Sequence, residues 1–227
     1  MSLHRRSLLK GLALGGLGTV AMAHSGLSLA GLAHASVHQP LVVLVNNPHA
    51  ESAFVTGVHA QRNGHPVKVM RTDLGLSFIN ELQAQLSSAP GTRLVGLVDD
   101  ASAAVILDLA RSSGATVQWT AQHSVQGAQS QHAVLASRAA EGCSVTLGHS
   151  LNQCGSGFAL REEQPFSRQV DRQLNATARR DAHADQWATT LGYSLAGLGQ
   201  PQLDQAPQVN RASHQLQGQF VSFSIQC

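Results

Sequence analysis

The run Leu41-Val42-Val43-Leu44-Val45 constrains the fold more than any other stretch of the chain. Five consecutive apolar residues, three of them β-branched, fit a strand covered on both faces, because a half-exposed strand would alternate apolar with polar. The run stops at Asn46-Asn47-Pro48-His49. Residues 51–62 then carry Phe54, Val55 and Val58 at helical spacing, and Asn63-Gly64 ends that helix. The alternation recurs twice and ends on a fourth strand. Residues 67–70 read as a second strand, and residues 76–86 as an amphipathic helix closed by Ala89-Pro90-Gly91. Residues 93–98 are a third strand of the buried type, followed by a helix over 102–111 that Asp100 or Ser102 could cap. Residues 117–120 form a fourth strand ending at Gln122-His123. Strands and helices in this order, joined by short connections, are what a parallel sheet with right-handed crossovers requires. The expected fold is a single three-layer α/β domain with a mostly parallel sheet of flavodoxin- or Rossmann-like type.

Beyond residue 124 the period is harder to read. Residues 133–136 and 144–147 are two further short apolar runs, expected as strands, and Gly155-Ser156-Gly157 is a turn. Phe166, Val170 and Leu174 stand four apart and suggest a helix over 166–180; Trp187, Leu191, Leu195 and Leu198 suggest another over 182–198. Residues 199–213 are rich in Gln and Pro and read as a surface loop. Phe220, Val221, Phe223 and Ile225 form a closing strand.

Ahead of the first strand the chain is of a different kind. His4-Arg5-Arg6-Ser7-Leu8-Leu9-Lys10 is a basic head, and neither a carboxylate nor another Lys or Arg follows before Glu51. A basic head, an apolar Gly/Ala/Leu body and the small-residue exit Ala33-His34-Ala35 make an export signal rather than part of a fold. Paired arginines followed by Ser-Leu-Leu-Lys resemble the twin-arginine (Tat) leader, whose translocon carries folded proteins across the bacterial inner membrane. The resemblance implies a Tat translocon as partner during export and a periplasmic destination. It divides the chain into a leader, residues 1–35, and one α/β domain, residues 36–227. An ordinary secretory signal can also contain Arg-Arg, and Ala21-Met22-Ala23 offers a second exit. The apolar run is long enough to span a bilayer, so an uncleaved leader is the one route to a membrane; its Gly and Ala content argues against a stable span.

Without residues 1–35, 192 residues remain, enough for one domain with a sizeable core. They carry 12 Lys+Arg against 13 Asp+Glu, because Arg5, Arg6 and Lys10 belong to the leader. No basic stripe is left to hold a nucleic acid backbone, and that class of partner is excluded. In an oxidising compartment Cys143 and Cys154 are the candidate disulfide, with Cys227 as an alternative partner for either.

In an open parallel sheet, ligands settle outside the carboxyl ends of the strands. Those ends bring Asn46, Asn47 and His49, then Thr72 and Asp73, then Asp99 and Asp100, then Gln122 and His123. Helices starting there also aim N–H groups at the rim. The candidate ligand-binding set is Asn46, Asn47, His49, Asp73, Asp99, Asp100 and His123. Asn and Asp serve equally as turn formers and helix caps, which is the competing use for all of them. No HExxH or HxH spacing is present, so no metal site is assigned; His49 with Asp99 or Asp100 and His123 is the one constellation that could hold a divalent ion. Asp181 to Asp185 reads as a capped helix start with solvated acids. GxSxG, GxGxxG and P-loop patterns are absent. The expectation is an exported periplasmic binding or accessory protein without catalysis, its ligand and cofactor unread. The alternative is a metal-assisted hydrolase or redox-enzyme subunit built on the His/Asp rim.

Overall fold

Residues 41–112 form the strands and helices that their periodicity predicts, with ends moved by a turn or less. The computed structural model describes residues 39–88, 90–127, 129–140, 142–164, 170–179, 185–199, 206–208 and 216–227. The export leader, Asp181 and His183 lie outside the described residues, as does most of the Gln/Pro-rich stretch. The elements in order are β1 (Leu41–Val45), α1 (Pro48–Arg62), β2 (Lys68–Arg71), α2 (Leu76–Ser88), β3 (Arg93–Val98), α3 (Asp100–Ser112), β4 (Thr116–Gln126) and β5 (Gln129–Ala136). They continue with α4 (Cys143–Cys154), β6 (Gly157–Glu163), β7 (Val170–Ala176), α5 (Gln186–Ala196) and β8 (Gly218–Gln226). Among the described residues no helix is long and apolar enough to cross a membrane.

The strands form one sheet in the order β2-β1-β3-β8-β4-β5-β6-β7. It is a mixed sheet, and this corrects the expected mostly parallel one. β1 is parallel to β2 and β3, and β5 to β6, but β3–β8, β8–β4, β4–β5 and β6–β7 are antiparallel. The cause is β8, which inserts between β3 and β4. Reversing direction at β8 and again at β4 leaves β4 pointing the same way as β1 to β3, but as part of an antiparallel unit. β4 and β5 then form a hairpin closed at Gly127, whose φ of +57° suits glycine.

Two further expectations are corrected. Residues 144–147 are not a strand; they belong to α4, whose buried residues Cys143, Ser144, Leu147, Leu151 and Cys154 recur at three- and four-residue spacing. The helix expected over 166–180 is instead β7 across its described part. Val170 and Leu174 misled because a spacing of four is even: it fits the two-residue period of a strand as well as a helical turn.

The core has two layers. On one side of the sheet α1, α4 and α5 bury Phe54, Leu147, Leu151, Trp187 and Leu191 against Val43, Val95, Trp119 and Val134. On the other, α2 and α3 bury Phe78, Leu82, Ile106 and Leu107 against Leu44, Leu94, Val221 and Phe223. Every residue of α5 is buried, and α5 meets α1 at Gly57 and Gly192. A Cβ on Gly57 would lie 1.9 Å from the Thr189 carbonyl oxygen, and one on Gly192 would lie 2.1 Å from that of Phe54. Backbone therefore packs on backbone where the two helices cross.

Candidate functional site

The rim beyond β1 and β3 is a hydrogen-bonded knot. Asn46 Nδ2 donates to Asp99 Oδ2 and to Ser102 Oγ at 3.3 Å, and Asn46 Oδ1 accepts the Asp99 N–H at 3.2 Å. Asp99, rather than Asp100 or Ser102, caps α3, its Oδ1 accepting the Ser102 N–H at 2.7 Å. Thr72 Oγ1 from the end of β2 donates to Ser102 Oγ at 3.4 Å. Asn47 caps α1 by accepting from the N–H groups of His49 and Ala50, with Pro48 at the first helical position. Asp73 closes a local turn onto the Gly75 N–H at 2.8 Å. The structure thus gathers Asn46, Asn47, His49 and Asp99, and engages Asn46, Asn47, Asp73 and Asp99 in bonds within the chain. His49 lies close enough to Asp185, at the start of α5, for its charge to act on that carboxylate. Asp185 is 4% exposed, and its Oδ1 accepts the Leu216 N–H at 2.6 Å. Burial pushes the Asp185 carboxyl up; the Leu216 bond and His49 oppose the shift. The solvated acid expected at this position is in fact buried.

His123 is not at the rim. It lies within β4, fully buried, directly opposite His132 of β5. The His49/Asp99/His123 ligand set is therefore not assembled, and among the described residues no three His, Cys, Asp or Glu side chains come together as a metal-holding group. The candidate disulfide is corrected too. Cys143 and Cys154 are free thiols at opposite ends of α4, and eleven helical rises separate them by about 16 Å, far beyond disulfide reach. Burial first, and then the Glu162 carboxylate, push the Cys143 thiol up to about 11, with Arg93 opposing.

What the structure adds is a groove on the open half of the sheet. The cover given by α2 and α3 does not extend over β5 to β7. β5 alternates exposed and buried along its whole length, and Ala159 and Arg161 of β6 face solvent. Between α3 and this face lies a groove of about 390 Å³. Ala103, Leu107, Ala133, Leu135 and Val221 give it an apolar lining; Asp100, Thr120, Gln122, Arg161 and Glu163 give it polar groups. Asp100 is the one residue of the predicted set that lines it. A second recess of about 310 Å³ shares Gln122, Ala133 and Arg161 and extends to Ser124, Gln131, Gln173 and Gln219. Arg161 Nη2 and Glu163 Oε1 lie 2.5 Å apart, with side chains 60% and 43% exposed. Such an exposed pair adds little stability, about 0–1 kcal/mol, so its charges remain available to a ligand.

Beneath the same strands runs a directional chain of hydrogen bonds. Trp119 Nε1, a donor only, gives its proton to Ser222 Oγ at 2.9 Å. Ser222 Oγ lies 2.8 Å from His123 Nε2, His123 Nδ1 lies 2.7 Å from His132 Nδ1, and His132 Nε2 lies 2.9 Å from Ser130 Oγ. Ser130 Oγ donates to the Gly157 carbonyl, an acceptor only, at 3.3 Å. With both ends fixed, one assignment satisfies every group. His123 carries its proton on Nδ1 and His132 on Nε2, and both are neutral. Burial, reinforced by the charge His132 would carry, holds His123 well below the usual histidine range; burial alone lowers His132 to about 3.

Sequence reasoning missed His132, Ser222, Arg161 and Glu163, and it read the buried Asp185 as a solvated acid. A signal for His132 was present: a two-residue hairpin loop beginning at Gly127 sets residue 126 against 129, and hence 123 against 132. No family model matches this chain, and no curated protein and no solved structure matches it either.

Proposed function

We propose that the chain is an exported, non-catalytic binding or accessory protein that holds its ligand on the open face of the sheet rather than at the rim. The observation that carries the reading is the groove flanked by α3 and floored by β4 to β6, where an apolar lining meets Asp100, Arg161 and Glu163. Concave, mostly apolar sites with a few placed charges are what small ligands occupy. An ammonium would meet Asp100 or Glu163, a carboxylate would meet Arg161, and an apolar side chain would lie on Leu107 and Leu135. That pattern suits an amino acid or a short peptide. The rim supports this assignment indirectly, because its Asn and Asp side chains are engaged in capping two helices and closing a turn.

Calorimetric titration with a panel of apolar amino acids and dipeptides tests the site. Arg161→Ala weakens binding at least tenfold, since a charge-assisted hydrogen bond is worth about 1.5–3 kcal/mol, while Asp73→Ala leaves it unchanged. Saturable binding that ignores Arg161 and a Leu135→Asp change would move the site elsewhere, and no binding by any member of the panel would remove this ligand class. Export is read separately. Replacing Arg5 and Arg6 by lysine in the full chain retains the unprocessed form in the cytoplasm if the leader is of the twin-arginine type; unimpaired delivery to the periplasm would sink that part.

A further inference from the structure

The buried pair His123–His132 lies directly under the open face and borders the second recess there. Along β4 and β5 successive residues face opposite sides. Gln122, Ser124, Gln131 and Ala133, which line the open face, are therefore the chain neighbours of the two histidines. The facing Nδ1 atoms, 2.7 Å apart, have room for one proton. A first added proton leaves a cation in this dry site, and the His123 Nε2–H it creates turns the Ser222 hydroxyl hydrogen away from the ring. A second added proton would set N–H against N–H across the 2.7 Å Nδ1 contact, a clash that no rotation relieves.

We propose that the His123–His132 pair is an acid-triggered switch beneath the groove. Neutral, it locks β4 to β5 in the register that shapes the floor; protonated, it forces the strands apart at this point and changes the groove. The proposal rests on the open face being the binding surface, for which it supplies the regulation.

The surroundings do not neutralise an added proton. From β8 come Ser222 and Phe220, and from β6 Leu160, which pairs with His132. Glu162, two residues further along β6, is held by Arg172 at 3.1 Å and by Ser144. From α5 comes Trp187, whose ring centroid is 5.0 Å from His123 and 5.6 Å from His132, and Asp185 at the head of that helix is bonded to Leu216. α4 brings the Cys143 and Cys154 thiols, and α1 brings His49 and Arg62 at its two ends. Rings released from the pair regain ordinary basicity, so the transition falls between the ordinary histidine value near 6.5 and the value of about 3 for buried His132.

NMR of the purified protein without ligand, from about pH 7.5 down to about pH 4, tests this. The chain has two tryptophans, and both touch the pair or its chain of bonds, so their indole signals report on it directly. The expected result is one midpoint at which both indole signals and the amides of residues 120–125 and 130–135 move together, while those of β1 and β2 stay. A glutamine side chain keeps the same polarity, oxygen accepting and nitrogen donating, so the double variant His123→Gln/His132→Gln loses the transition. An unchanged transition in that variant, or simultaneous loss of all signals in the wild type, overturns the proposal. If the variant does not fold, the imidazole nitrogen shifts of the wild type decide: two neutral rings persisting through the transition overturn it. Loss of ligand binding by Arg161→Ala speaks to the groove alone, so the two readings fail separately.

Discussion

Protonation of His132 in the folded protein has to overcome burial, while the unfolded chain takes up the same proton freely below about pH 6.5. Because the folded value is depressed, the stabilisation is complete above 6.5 and is lost progressively as pH falls toward about 3. His132 alone should cost about 2 kcal/mol of unfolding free energy between neutrality and about pH 5, and His123 acts in the same direction. Urea unfolding at the two pH values measures this, and His123→Gln/His132→Gln should flatten the dependence. A pH-independent midpoint in the wild type would contradict the buried neutral pair. At the rim, Asp99→Ala should remove the α3 cap and lower stability by about 1 kcal/mol, with no change in ligand affinity at the groove. Reduced affinity with unchanged stability would instead restore the rim as the site. The individual rim residues were legible in the sequence because polar residues end each apolar run. Their role was not, since capping and ligand binding draw on the same residue types.

Among the elements, the crossing of α1 and α5 depends on two glycines that periodicity alone does not single out. Gly57→Ala or Gly192→Ala would put a methyl group into a carbonyl oxygen of the facing helix. The backbones must then separate, at a cost of about 3 kcal/mol, the upper end for overpacking. Chemical denaturation detects this as a lower midpoint; a variant as stable as the wild type would mean that the helices do not touch at these residues. The first three strands and three helices were readable because continuous apolar runs and helical stripes differ in period. α4 and β7 were not. Ser144-Val145-Thr146-Leu147 has strand-forming residues but is buried on a helical stripe, and the four-residue spacing of β7 is common to both periods.

For the whole molecule, β8 is the decisive piece. It pairs with β3 through Val98 and Val221 and with β4 through Gln122 and Val221, so it joins the helix-covered half of the sheet to the open half. Phe223 at its centre is fully buried over Gly96. Phe223→Ala should cost about 3–5 kcal/mol and shift the tryptophan-fluorescence and far-ultraviolet dichroism transitions together, because one sheet unfolds as one unit. Transitions that separate would show the halves to be independent. The amino-acid sequence by itself determined which segments are buried on two faces, where β1 to β3 end in polar tips and which helices lie between them, because these follow from local periodicity. Only the tertiary structure decided the direction of the sheet, the burial of His123 beneath Trp187 and Ser222, the distance between Cys143 and Cys154 and the half of the sheet left open. Each of these depends on β8 pairing across more than a hundred residues, or on a helix where the residues favoured a strand, and neither leaves a local trace.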